Sequence, residues 1–251
     1  MKQLLVIGGA SYDTLHLEDQ TVQSIGGVGM YTAMAAHRCG VDASILSHPP
    51  DPCPAAFQPI IRRLTEWLGP SVPPDQLPHF EISYKGGVTK YLDVTLRSEA
   101  DLFPTMLPTN LSKYEIVHVG QKADIAVQMS FIQACRQRGA QLISAGTYPM
   151  DATNQPQSVR DLIDQSDFFF MNQCEAEAVF GSLESAHSQP GKVLFITLGA
   201  KGVRIIQGDW TTTIPAVPTQ ELDPTGAGDT FCGATLAFLM HNFHPVMAAR
   251  R

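Results

Sequence analysis

The sequence predicts an α/β protein with a mostly parallel central sheet flanked by helices and a small β lid. Two patterns predict the sheet. Short apolar, β-branched runs end in glycine or turn-forming residues, and segments with apolar residues at helical spacing separate them, as in repeated βαβ units. A third pattern predicts the lid, because residues 80–103 break that alternation with a hairpin.

Along the chain, Leu4–Ile7 is the first strand: its apolar run is too short for a signal peptide and ends at Gly8-Gly9. Ser11–Ile25, rich in Thr, Val and Ile, reads as an extended pair. Gly29–Cys39 carries Ala and Met at helical spacing and stops before Gly40, so it is a crossover helix in which Met30 and Met34 fill the core. Pro49–Pro78 holds half of the 18 prolines and reads as a long connection with room only for a short helix near Phe57–Leu68. Glu81-Ile82-Ser83-Tyr84 and Thr89–Val94 flank Gly86-Gly87 as an antiparallel flap. Ile116–Val119, Gln141–Ser144, Phe168–Met171 and Val193–Thr197 complete the expected sheet, and Asp124–Arg138 is a helix with a capping Asp and basic residues at its end. Residues 1–251 are read as one domain, with lid segments about 11–25 and 80–103.

Composition excludes several classes. At 251 residues and 44% hydrophobic the chain is globular, and 17 Lys+Arg against 24 Asp+Glu leave no basic surface for nucleic acid. The five cysteines are scattered without a C-x-x-C pair, which points to a reducing, cytoplasmic setting. Thr230–Ala249 approaches the roughly 20 residues of a membrane span, but His241, Asn242, His244 and Pro245 make it a core helix and its exit, so no membrane partner is expected. His241 and His244 share a helix face without a nearby carboxylate or thiol and are not read as a metal site.

The stretch that carries chemistry is Asp223-Pro224-Thr225-Gly226-Ala227-Gly228-Asp229-Thr230-Phe231, a glycine-flanked turn leading into an apolar helix, Thr230–Met240. Unpaired N–H groups of Gly226, Ala227 and Gly228 at a helix N-terminus form an anion hole, and glycine admits a phosphate close to the backbone. Asp229 would repel that phosphate, so its presence calls for a task such as taking a proton from an attacking hydroxyl. The helix dipole lowers a carboxylate pKa there, and desolvation opposes it.

Thr225–Phe231 resembles the C-terminal motif of the ribokinase/PfkB family of carbohydrate and nucleoside kinases. Further motifs follow the family's order: Gly9 and Asp13 after the first strand, Gly26-Gly27-Val28-Gly29 before a helix, Asn172-Gln173-Cys174-Glu175, and Thr197-Leu198-Gly199-Ala200-Lys201-Gly202. The resemblance implies the ribokinase-like three-layer fold and ATP-dependent phosphorylation of an alcohol on a small sugar or polyol. It makes Asp229 the general base, with Gly226, Ala227 and Gly228 on the transferring phosphoryl group. It places Asp13, Gly26, Gly27 and Tyr31 at the substrate. Asn172, Thr197, Gly199, Gly202 and Thr225 then fall at the nucleotide, and Glu175 at Mg²⁺, directly or through water.

The sequence also departs from the family. Tyr31 and Thr32 stand where many of its sugar kinases carry an Asn that contacts substrate, and His48–Pro54 replaces a Gly-x-Asp-x-x-Gly segment. Ala145-Gly146-Thr147-Tyr148-Pro149 replaces an expected Asp-x-Asn. The chain ends at Arg251, short of the helices that wall the adenine in most members. Substrate identity therefore does not carry over. A nucleoside kinase is the alternative if aromatic residues such as Tyr31 and Tyr84 line the pocket. A catalytically silent sugar- or nucleotide-binding relative is another, against which the retained Asp229 counts. An open lid edge invites pairing with a second copy, a homodimer through the lid.

Overall fold

The computed structural model describes residues 2–85, 88–220 and 223–251. Its main sheet takes β1 (Gln3–Ile7), β4 (Asp42–Leu46), β5 (Trp67–Leu68), β8 (Tyr114–Val119), β9 (Leu142–Gly146), β10 (Phe168–Asn172), β11 (Val193–Thr197), β12 (Val203–Gln207) and β13 (Trp210–Ile214). Their order is β13-β12-β11-β10-β9-β8-β1-β4-β5, parallel except at the β11–β12–β13 edge. The lid is a separate sheet of β2 (Ser11–His16), β3 (Thr21–Gly26), β6 (His79–Lys85) and β7 (Val88–Thr95), in the order β3-β2-β6-β7. Gly86 and Gly87, the expected hairpin turn, lie outside the described residues.

Helices cover both faces of the main sheet: α1 (Val28–Arg38), α3 (Ile125–Gln137), α4 (Pro149–Asn154), α5 (Pro156–Gln165), α6 (Gln173–Phe180), α7 (Ala227–Met240) and α8 (Pro245–Arg250). Alternation along β1 builds two cores. Leu5 and Ile7 join Phe131 of α3, Leu162 of α5 and Ala176 of α6. Leu4 and Val6 join Ala33 and Ala36 of α1 and Leu236 of α7 on the opposite face. All of these side chains are buried, and at about 25 cal/mol per Å² of apolar surface the two cores dominate the stabilisation of the fold. Met30 is buried and Met34 packs partly against the second core, as expected of filler.

Three expectations are corrected. The helix near Phe57–Leu68 is a 3₁₀ turn, Ala55–Phe57, followed by one α turn, α2 (Gln58–Ile61). Trp67 and Leu68 instead pair with Ile45 and Leu46 as an edge strand, where Trp67 Nε1 donates to Ser47 Oγ at 2.9 Å. Four residues of helix cannot hold themselves against such partners. The C-terminal helix begins at Ala227, capped by Gly226, so Asp229 is the third residue of its first turn. The sheet also extends past Thr197 through β12 and β13, because the Gly199–Gly202 segment turns the chain back in an antiparallel hairpin.

All five cysteines are free, and no helix among the described residues is long and apolar enough to cross a membrane. His241 Nε2 pairs with the Cys39 carbonyl at 3.1 Å, joining the end of α7 to the end of α1, and His244 Nδ1 accepts from Val246 N–H at 3.4 Å, capping α8.

Candidate active site

A cavity of about 330 Å³ lies between the lid and the carboxyl ends of β1, β8 and β9, where ligands of open parallel sheets bind. Six predicted residues line it: Asp13, Gly27, Tyr31, Thr225, Gly226 and Asp229. Residues far apart in sequence meet because α1 and α7 lie side by side. Thr32 Oγ1 donates to the Asp229 carbonyl at 3.3 Å, and the neighbouring Tyr31 ring lies against Gly226.

Asp13 projects from β2 and is 3% exposed. Its Oδ2 accepts from Ser11 Oγ at 2.9 Å and its Oδ1 from Phe80 N–H at 3.1 Å. Gly26 stands behind it: a Cβ there would fall 2.1 Å from Asp13 Oδ2, so this glycine makes room for the carboxylate as its neighbour Gly27 faces the cavity. Burial raises the Asp13 pKa to about 6, against the lowering effect of its two hydrogen bonds and of His79.

At the other side, Gly226 caps α7 in the left-handed conformation, φ 68°. The Ala227 N–H donates to the Pro224 carbonyl at 3.1 Å, which removes it from the expected anion hole. The N–H groups of Gly226, Gly228 and Asp229 have no acceptor among the described residues, and a Cβ on Gly228 would meet nothing within 4 Å. Open donors at the start of a 14-residue helix, with free space above them, fit a phosphate. Desolvation by burial raises the Asp229 pKa to about 6. Burial also raises the Tyr31 phenol, with Asp13 adding to the effect. The lid reaches this loop where the Tyr84 hydroxyl bonds Thr225 Oγ1.

Asn172, Glu175, Thr197, Gly199 and Gly202 sit outside the cavity, at the ends of β10 and β11. Asn172 and Thr197 are paired in register, and Thr197 Oγ1 donates to the Met171 carbonyl at 3.5 Å. Asn172 and Glu175 form a capping box: Asn172 Oδ1 accepts from Glu175 N–H at 2.9 Å, and Glu175 Oε2 accepts from Asn172 N–H at 2.8 Å. Burial raises the Glu175 pKa to about 7, with the Asp229 charge adding to it. Gly199 and Gly202 bound the β11–β12 hairpin. Among the described residues no group of three or more His, Cys, Asp or Glu side chains is placed to hold a metal. Glu175 has one oxygen free of that cap, enough for a cation that keeps most of its waters.

The sequence reading missed Glu99, Gln121, Lys122, Tyr148, Met150 and Asp151, all of which line the cavity. Five follow the carboxyl ends of β8 and β9, and the crevice rule for parallel sheets would have found them. Glu99 comes from the turn after the lid and carries no such signal. Phe80, Ile82, Tyr91, Val94 and Leu96 give the cavity an apolar roof.

The lid, the crevice site and the glycine loop capping α7 define the ribokinase fold, and solved structures agree. *Burkholderia thailandensis* nucleoside kinase in complex with inosine superimposes with a TM-score of 0.80 at 20% identity, over 98% of this chain and 87% of that one. A ribokinase from *Cryptococcus neoformans* in complex with ADP gives 0.80 at 17%, over 99% and 90%. The chain belongs to the pfkB family of carbohydrate kinases, whose model matches residues 100–251. A cytidine kinase from *Thermococcus kodakarensis* is 23% identical over 248 residues, 94% of this chain and 88% of that protein. The chain is thus a kinase from a family whose relatives act on nucleosides or sugars.

Proposed function

We propose that this chain, working as one kinase domain, transfers the γ-phosphoryl group of ATP to a hydroxyl of a ribonucleoside, with Asp229 as general base. The observation that carries this reading is the convergence of Asp13, Asp229 and the open N–H groups of α7 on one cavity. Asp13, fixed by Ser11 and Phe80, accepts from acceptor hydroxyls and orients them. The attacking hydroxyl gives its proton to Asp229 as its oxygen bonds to phosphorus, the bond to the bridging oxygen breaks, and ADP leaves. Gly226, Gly228 and the Asp229 backbone take up charge on the transferring group through their N–H donors. Thr225, Asn172, Thr197, Gly199 and Gly202 border the nucleotide. Glu175 would hold Mg²⁺, which when bound would supply neutralisation of the phosphate charge. The lid keeps water, a competing acceptor, out.

The acceptor follows from the wall. A sugar or polyol needs polar partners all round, whereas Tyr31, Phe80, Tyr91 and Tyr148 offer aromatic faces suited to a base. The full-length likeness to a cytidine kinase supports the same choice. The free-sugar reading rests on Asp13 and on the carbohydrate kinases of the family. ADP release with Mg-ATP across ribonucleosides, pentoses, hexoses and inositols decides between them. Turnover with a nucleoside is expected. Turnover with free sugars only would return the acceptor to the carbohydrate class, and ligand-induced stabilisation with no turnover at all would leave a silent binder.

The pH profile is a second test. Asp13 and Asp229 both have pKa values raised to about 6, and both must be ionised, one to accept hydroxyls and one to take the proton. Below pH 6 kcat/KM should therefore climb with a slope approaching two on logarithmic axes and level off above it. Asp13→Asn should reduce the slope to one. An unchanged slope in that variant would remove Asp13 from the profile.

A further inference from the structure

Lys122 and Glu99 form an ion pair in the cavity wall, Nζ to Oε1 at 2.8 Å, with side chains only 2% and 9% exposed. The lysine follows β8 and the glutamate lies in the 3₁₀ turn Arg97–Asp101 that leaves the lid. Taking two charges out of water is costly unless their remaining hydrogen-bonding capacity is used. Here it is not. Among the described residues the ammonium has one hydrogen-bond acceptor and otherwise lies 5.7 Å from the centre of the Phe131 ring. Glu99 Oε2 has no donor, although it sits so close to Gly9 that a Cβ there would lie 2.5 Å away. The pair therefore offers two spare N–H donors beside one spare carboxylate oxygen and carries no net charge of its own.

We propose that Lys122 and Glu99 read the base of the acceptor, Glu99 Oε2 accepting from an exocyclic amino group and Lys122 Nζ donating to the adjacent ring acceptor. A pair of zero net charge favours a neutral group over a carboxylate or ammonium. A donor beside an acceptor is what an aminopyrimidine or aminopurine presents and what a bare pentose lacks. A merely structural pair would pin the lid to β8 without touching the ligand. The two roles separate in kinetics.

The proposal rests on the nucleoside reading above. The test compares cytidine and adenosine with 2-pyrimidinone riboside and purine riboside, which replace the amino group by hydrogen, in the parent protein and in two variants. Lys122→Met with Glu99→Met removes both charges, so that neither is left buried alone, and Glu99→Gln keeps the shape of the turn. The parent should favour at least one amino compound over its deamino partner by roughly 10- to 100-fold in kcat/KM, the range for a hydrogen bond to a buried charge. The double variant should bring that ratio to near one, and Glu99→Gln should lower it. Two results overturn the inference with the nucleoside reading intact: nucleosides turned over without an amino preference, or a preference that survives the double substitution while all rates fall together. Turnover of free sugars with no nucleoside accepted overturns the nucleoside reading itself, and the inference with it.

Discussion

Replacing Asp229 by Asn should lower kcat by about 10²–10⁴-fold with nucleotide and acceptor still bound, the span of a lost general base. The variant should fold, because the contact tying this residue to α1 runs through its backbone carbonyl, which Thr32 Oγ1 reaches at 3.3 Å. Stability should even improve near pH 8. The Asp229 pKa is raised by desolvation from 3.8 to about 6, so the carboxylate is harder to ionise in the folded chain than in the unfolded one. Its contribution to stability is present below pH 3.8 and is lost as pH rises through 6, so at pH 8 the ionised group opposes folding and an amide does not. A thermal melt at pH 8 beside the rate measurement checks both parts. Turnover within a few-fold of the parent would sink the assignment, and a lower melting temperature would refute the account of the raised pKa.

Gly226→Ala should be the next most damaging change, lowering kcat/KM by about 10²–10³-fold, the scale of a lost oxyanion donor. Two effects act together. The left-handed φ of 68° costs an L-residue about 1–2 kcal/mol, and the new Cβ would lie 2.4 Å from Tyr31 Cδ2. The alanine must push away the ring or the loop, and the loop carries the open N–H groups. Adding Tyr31→Val relieves the overlap but not the backbone strain. ATP binding should then recover in part and kcat only slightly, as isothermal titration and initial rates will show. Parent-like ATP affinity in the single variant would mean that this turn does not cradle the nucleotide phosphates.

Much of this was legible in the sequence, and the limits have physical causes. The strands ending with Ile7 and after Met171 were readable because parallel strands buried on both faces are short unbroken apolar runs. The turn at Thr225–Asp229 was readable because glycine spacing at a helix start is a local property. The edge strand at Trp67–Leu68 was not, since two residues show no period and their place depends on pairing with Ile45 and Leu46. The Ala227 N–H could not be known to be spent on Pro224 before the turn was seen. Lys122 and Glu99 are unremarkable charges in the sequence, and only the docking of the lid exit against β8 brings them together. Asn172 and Glu175 show the converse: the motif that the family resemblance ties to phosphate and metal has the spacing of a capping box, and the chain makes that cap.

The seating of α1 against α7 also has a consequence for the order in which the protein is made. Tyr31 and Thr32 leave the ribosome long before the residues they touch, Gly226 and Asp229, and Thr32 precedes its partner by 197 positions. The lid and most of the sheet can assemble on a nascent chain, but Ala33 and Ala36 have no α7 to cover them until that helix has been made. A stalled or truncated product would thus carry a formed lid, an open greasy stripe and no means of transferring phosphate. Such products are substrates for chaperones and proteases, and competence arrives only with α7.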